Sequence, residues 1–227
     1  MRYARVDGLG VFLDLRTSTY KVLDEVATSM LDALTGAADP EAELAGWCRE
    51  YEIDPETARA ELARFADTCV SDGLLGARGR DDGEPAPPSA EPLASAPRGP
   101  RVGRAVHALA ATWRSLRADG FGPTYERYAR IPVAPAASAP GACVRAFVRA
   151  ENVWPSKRAP DDCLLRSLAL FRYLRGEGVA AEHVIGVWRF PFLAHAWVEC
   201  GGAPMLDERV SGFTPLARIA AADAAAR

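Results

Sequence analysis

The sequence predicts an α+β protein of two domains, and three observations carry that expectation. Charge divides the chain. Residues 1–80 hold 9 Lys/Arg against 15 Asp/Glu, residues 81–97 hold four acids and no base, and residues 98–227 hold 18 bases against 11 acids. Between the halves lies ARGRDDGEPAPPSAEPLASAPRGPR, residues 77–101, nearly free of large apolar side chains. Such a segment cannot bury enough surface to offset its ordering entropy, and its prolines make it a partly extended spacer. The order of patterns also differs: strands precede helices before the spacer, and helices precede strands after it. The expected division is therefore 1–76, 77–101 and 102–227.

In the first domain YARV and GVFLDL have the alternation of short strands, Arg16 to Ser18 can turn, and TYKVLD makes a third strand. Ser29 to Leu34 predicts a short helix closed by Gly36. Asp39-Pro40 and Asp54-Pro55 are two start signals, the acid capping and the proline fitting the first turn. The helix after Asp39 places Leu44, Trp47, Cys48 and Tyr51 on one face, and that after Asp54 places Ala58, Leu62, Phe65, Cys69 and Val70 inward. This is a β3α3 domain resembling a winged helix. In the second domain Val102 to Leu116 and Ala142 to Asn152 predict helices separated by a Pro/Ala-rich stretch. Asp161-Asp162 precede a strongly helical run, CLLRSLALFRYLRGEG, from Cys163 to Gly176 or Gly178. AEHVIGVWRF, AHAWVEC and the end of GGAPMLDE then predict an antiparallel sheet.

Composition narrows the function classes. With 49% hydrophobic and 25% charged residues the chain is ordinary for a globular protein. No apolar run approaches the roughly 20 residues that span a bilayer, and MRYARVDGLGVFLDL lacks the regions of a signal peptide, so a cytoplasmic location without membrane association is expected. Five cysteines, an odd number without framework spacing or a CxxC pair, predict neither disulfides nor structural zinc. The acidic balance of residues 1–80 argues against a nucleic-acid partner. No cofactor is expected, and a metal reading of His183, His195 and Cys200 lacks ligand pairs at useful spacing.

Cys163 is the most informative residue. It stands at the first turn of a helix, where partial positive charge stabilises a thiolate and free N–H groups can hold an oxyanion. Asp161 and Asp162 oppose the thiolate, so a cation is required, and His195 in the strand AHAWVE can supply it. Small residues flank that histidine and leave room for a sulfur. Asp207, twelve residues on at the end of MLD, can lie beside His195 if two strands join through Gly201-Gly202, fixing the ring's tautomer and favouring its charged form. Each residue also has a plain reading, as a small core cysteine, a structural histidine and a turn aspartate. Arg166 and Arg189 are solvated charges or contacts for a peptide carboxylate. Trp154 and Phe190 to Phe192 are packing residues or walls of the same cleft.

These stretches resemble a known family. DDCLLRSLALFRYLRGEGV, HVIGVWRFPFLAHAWVE and MLDE are similar to the leader peptidases of lasso-peptide biosynthesis, which have a transglutaminase-like fold. The resemblance implies a cysteine endopeptidase with Cys163, His195 and Asp207 as its catalytic residues. GVFLDLRTSTYKVLD with its three following helices is similar to the precursor-recognition element that accompanies such peptidases and is related to small PQQ-biosynthesis chaperones. It implies that the first domain binds a leader peptide as an added strand, and that an ATP-dependent macrolactam cyclase acts as a separate partner. The candidate edge is Thr19, Tyr20, Lys21, Val22 and Leu23, with Arg59, Leu62 and Phe65 across the groove. Two alternatives stay open: transfer of the acyl group to an amine in place of water, and a peptide-binding adaptor without catalysis.

Overall fold

The computed structural model describes residues 1–76, 100–135, 138–154, 163–207 and 210–220. Two compact units result, Met1–Leu13 with Tyr20–Ala86 and Asp14–Thr19 with Pro87–Arg227. Most of the expected spacer, and the acidic pair Asp161-Asp162, lie outside the described residues.

The first sheet has the order β1-β2-β3, formed by Arg2–Val6, Leu9–Asp14 and Thr19–Leu23. β1 and β2 are antiparallel, with Tyr3 opposite Phe12. Three helices follow, α1 (Glu25–Thr35), α2 (Pro40–Glu50) and α3 (Pro55–Ser71). Each starts as its sequence dictates: Asp24, Asp39 and Asp54 all accept backbone N–H groups of their own first turn. α1 begins four residues before the expected Ser29, because Asp24 supplies a cap that its apolar pattern did not announce. Ala33, Leu44, Trp47 and Ala58 form the helical core, with Met30, Cys48, Ile53 and Leu62 packed against it. Thr28, fully buried in α1, stitches helix to sheet: its hydroxyl accepts from Gly10 N–H at 2.7 Å and donates to Asp24 O at 2.6 Å.

The second unit holds α4 (Val102–Asp119), α5 (Phe121–Ala129), α6 (Pro140–Val153) and α7 (Cys163–Gly176), then β4 (Ala181–Trp188), β5 (Leu193–Cys200), β6 (Ala203–Met205) and β7 (Thr214–Ile219). α5 and β7 are absent from the sequence expectation. Pro123 stands in the first turn of α5, where a proline costs a helix no hydrogen bond. Pro215 disfavours a central strand, but β7 is an edge in the order β6-β5-β4-β7, where a missing donor is tolerated. The sheet is antiparallel throughout.

α7 is the central element, packed against β4 and β5 and against α4, α5 and α6. From Ser167 to Arg175 it is buried at every residue but Arg172, as expected of a helix apolar on nearly all sides. Arg175 is 1% exposed and donates to three carbonyls, of Ala181, Ile131 and Ala220, while its guanidinium lies 4.4 Å from the Phe171 ring centroid. It ties the end of α7 to the sheet. No helix among the described residues is long and apolar enough to cross a membrane.

Candidate active site

A cavity of about 360 Å³ opens where α7 begins and meets β5. Its walls include Cys163, Arg166, Ser167 and Leu170 from α7, His195 and Trp197 from β5, Met205 and Asp207 at and beyond β6, and Phe213 before β7. The three residues singled out from sequence are thus brought together. Cys163 is half-buried at the first residue of α7. His195 faces across β5, opposite Gly186 of β4. β6 pairs with β5 only from Val198 to Cys200. Leu206 then turns the chain at φ 67°, and Asp207 follows it into reach of the ring.

His195 Nε2 and Asp207 Oδ2 are 2.5 Å apart and share a hydrogen bond. With Nε2 held by the carboxylate, Nδ1 remains for the sulfur. The pKa of His195 is raised, first by its bond with Cys163 and then by Asp207, against the opposing effect of burial. Arg166, three residues into α7, makes a forked pair with Glu151 of α6 at 2.5 and 3.1 Å. That bond, and the nearby Asp207 charge, raise the arginine's own pKa despite partial burial. Arg166 is therefore a paired cation on the cavity wall. Trp154, Phe190 and Phe192 are not among the described lining residues; Phe190 is 86% exposed at the β4–β5 turn.

His183 has a different setting. It is fully buried between Tyr125 and Phe171, edge-on to both rings, with Nε2 2.9 Å from Ser167 Oγ. Burial lowers its pKa to about 3, so it stays neutral and serves the packing of α7 on β4. Burial likewise raises the Cys200 thiol to about 11. Among the described residues no group of three or more His, Cys, Asp and Glu side chains is disposed to hold a metal ion.

Sequence reasoning missed the aromatic surroundings of His195. Trp197 was legible in principle, since residues two apart share a strand face. Phe213 carried no signal, lying in a turn before a strand the pattern did not announce.

In the first unit, β3 is an edge strand as expected, with Thr19 and Val22 exposed and Tyr20, Lys21 and Leu23 half-buried. Lys21 Nζ pairs with Asp72 Oδ2 at 3.1 Å, linking that edge to the end of α3. The helical partners are more scattered. Phe65 is half-buried, Leu62 packs into the helical core, and Arg59 pairs with Glu41 of α2 at 3.4 Å.

Known proteins place these units. Residues 115–218 match the transglutaminase-like superfamily and residues 10–75 match coenzyme PQQ synthesis protein D. The microcin J25-processing protein McjB of Escherichia coli is 44% identical over 56 residues, covering 22% of this chain and 27% of McjB. The match therefore spans about a quarter of that relative. TbiB1, solved in complex with the TbiA(beta) leader peptide, is 29% identical over 34% of this chain and 91% of its own, with a TM-score of 0.29. The chain thus joins a PqqD-like domain to a transglutaminase-like one.

Proposed function

We propose that the chain is a leader peptidase acting on a ribosomally made lasso-peptide precursor. The first domain holds the leader, and the second cleaves it from the core. The observation that carries the reading is the meeting of Cys163 at a helix start with His195 and Asp207 in one cavity. The likeness to McjB and to PqqD adds the precursor and its recognition.

In this reading the Cys163 thiolate attacks the scissile carbonyl, and N–H groups at the start of α7 receive the developing oxyanion. His195 passes its proton from Nδ1 to the leaving amine, which frees the core peptide and leaves a thioester with the leader. The neutral ring then takes a proton from water as the water attacks the thioester. Asp207 keeps Nε2 protonated and the ring oriented through both steps. The division falls at 1–76, 77–101 and 102–227. The spacer keeps a bound leader near the cavity, making the second encounter intramolecular. The leader pairs with the β3 edge at Thr19 to Leu23, where β3 ends a sheet. Freed core would pass to an ATP-dependent macrolactam cyclase, all in the cytoplasm.

Incubation of the full chain with precursor, followed by mass spectrometry, tests this. The expected products are leader and core whose masses total precursor plus one water, and none with Cys163→Ala. A precursor joined to an amine would point to acyl transfer. Intact precursor beside undiminished leader binding would leave only a peptide-binding adaptor.

A further inference from the structure

His195 sits in an aromatic enclosure that the Cys-His-Asp reading does not use. Its ring is nearly parallel to that of Trp197, with centroids 6.1 Å apart and planes at 16°. Phe213 lies 5.5 Å from His195 and 6.2 Å from Trp197. Trp188 backs Phe213 edge-on at 5.6 Å. Two glycines make room for the two indoles. A Cβ on Gly186 would stand 2.6 Å from Cη2 of Trp197, and one on Gly212, at φ +99°, would stand 2.9 Å from Cζ3 of Trp188. Neither distance is possible between real atoms, so the indoles lie where they do because those positions have no side chain. The Trp197 indole is also anchored at its far edge. Its Nε1–H donates to Glu199 Oε1 at 2.7 Å, and Arg218 holds Glu199 at 2.7 Å.

We propose that Trp197, with Phe213 and Trp188 behind it, is a positioning collar that stabilises the His195 imidazolium by ring-face attraction and keeps the ring aligned between Asp207 and Cys163. A cation is drawn to an aromatic face, most strongly to an indole, and the interaction grows where water is excluded. The inference rests on the proposed use of His195 as the proton carrier. Among the described residues, the charged and titratable groups that face it are Cys163 and Arg166 from α7 and Asp207 beyond β6. Arg166 is paired with Glu151, while Glu199 and Glu182 share Arg218, so that trio keeps one net negative charge behind the indole. Gly186 and Phe213, on the remaining sides, carry no charge. Asp207 and Cys163 explain the direction of the charge preference, and the collar supplies what their distances alone do not: a fixed ring plane and a water-poor face. Burial by the same rings works the other way, so the sign of the net effect decides the matter.

The test is a titration of the His195 ring by NMR in full-length Cys163→Ala protein, which needs no substrate. Trp197→Leu is expected to lower the His195 pKa by about half to one pH unit. Trp197→Phe should lower it less, because a phenyl face is the weaker partner. In the chain with Cys163 intact, the alkaline limb of kcat/KM should move to lower pH by a like amount. An unmoved pKa in folded Trp197→Phe and Trp197→Leu overturns the collar. So does a rise, which would mean that the indole acts through desolvation. If Trp197→Leu fails to fold, Trp197→Phe carries the same sign test. A lowered pKa in a chain that cleaves nothing would keep the collar and remove the proposed function; an active chain with an unmoved pKa would do the reverse.

Discussion

Replacing His183 with Gln should remove much of the acid sensitivity of the C-terminal unit. In the parent, His183 is fully buried on β4 and bonded through Nε2 to Ser167, while Nδ1 has no hydrogen-bond partner among the described residues. In the tautomer with hydrogen on Nε2, the ring donates to Ser167 Oγ and leaves Nδ1 as an acceptor. Ser167 Oγ lies 3.3 Å from Leu164 O and can pass a bond on to that carbonyl. Burial lowers the pKa of His183 to about 3, whereas an unfolded histidine titrates near 6.5. The unfolded chain therefore takes up a proton that the folded one excludes. The stabilisation is complete above pH about 6.5 and is lost as the pH falls, by about 1.4 kcal/mol per unit, until the folded value is reached. Between pH 7.0 and 5.5 the loss is about 1.3 kcal/mol. His195 has the opposite sign, since its pKa is raised: its contribution is present below the unfolded value and lost as pH rises through the folded one. Because His195 is present in both chains, it cancels in the comparison. Gln keeps an N–H for Ser167 and cannot titrate. Opening free energies from amide exchange in α7 and β4, at both pH values, give the two slopes. The parent should lose about 1.3 kcal/mol more than the variant. Equal slopes would refute the argument.

Three further outcomes are expected. His195→Ala should reduce precursor cleavage about 100- to 10,000-fold, and Asp207→Asn less, because Asp207 orients rather than carries the proton; steady-state kinetics on synthetic precursor measure both. If the Val22 N–H points outward from the sheet, Val22→Pro removes a pairing donor from the β3 edge and should weaken leader binding about tenfold in calorimetry of the full chain, with unchanged circular dichroism as the control. Arg175→Met leaves three carbonyls without their donor and should destabilise the second unit by about 3 kcal/mol or more in urea unfolding.

Much of the fold was legible because it rests on local chemistry. Asp39-Pro40 and Asp54-Pro55 start helices wherever they stand, and α2 and α3 begin at those prolines. The alternation in GVFLDL and the apolar run AHAWVEC announce strands in the same way. α5 and β7 went unannounced; their prolines, Pro123 and Pro215, sit in a first turn and on a sheet edge, which both tolerate a missing N–H.

The sequence by itself determined which residues were eligible for the site: a cysteine at a helix start, a histidine among small residues on a strand, and an aspartate at a strand end. These are properties of residue type and neighbourhood, which the chain carries before it folds. Tertiary structure alone decided which of them meet. Leu206 must turn at positive φ for Asp207 to reach His195 Nε2. Gly186 must lie opposite His195 in the β4–β5 register, and Phe213 must return from the turn before β7. The same decision set the protonation of the two strand histidines. His183 faces the helix side of the sheet, where burial holds it neutral, whereas His195 opens on the cavity beside a carboxylate that favours its charge. Burial and partners set a proton's free energy, and both arise from residues distant in sequence that only packing brings within a few ångströms.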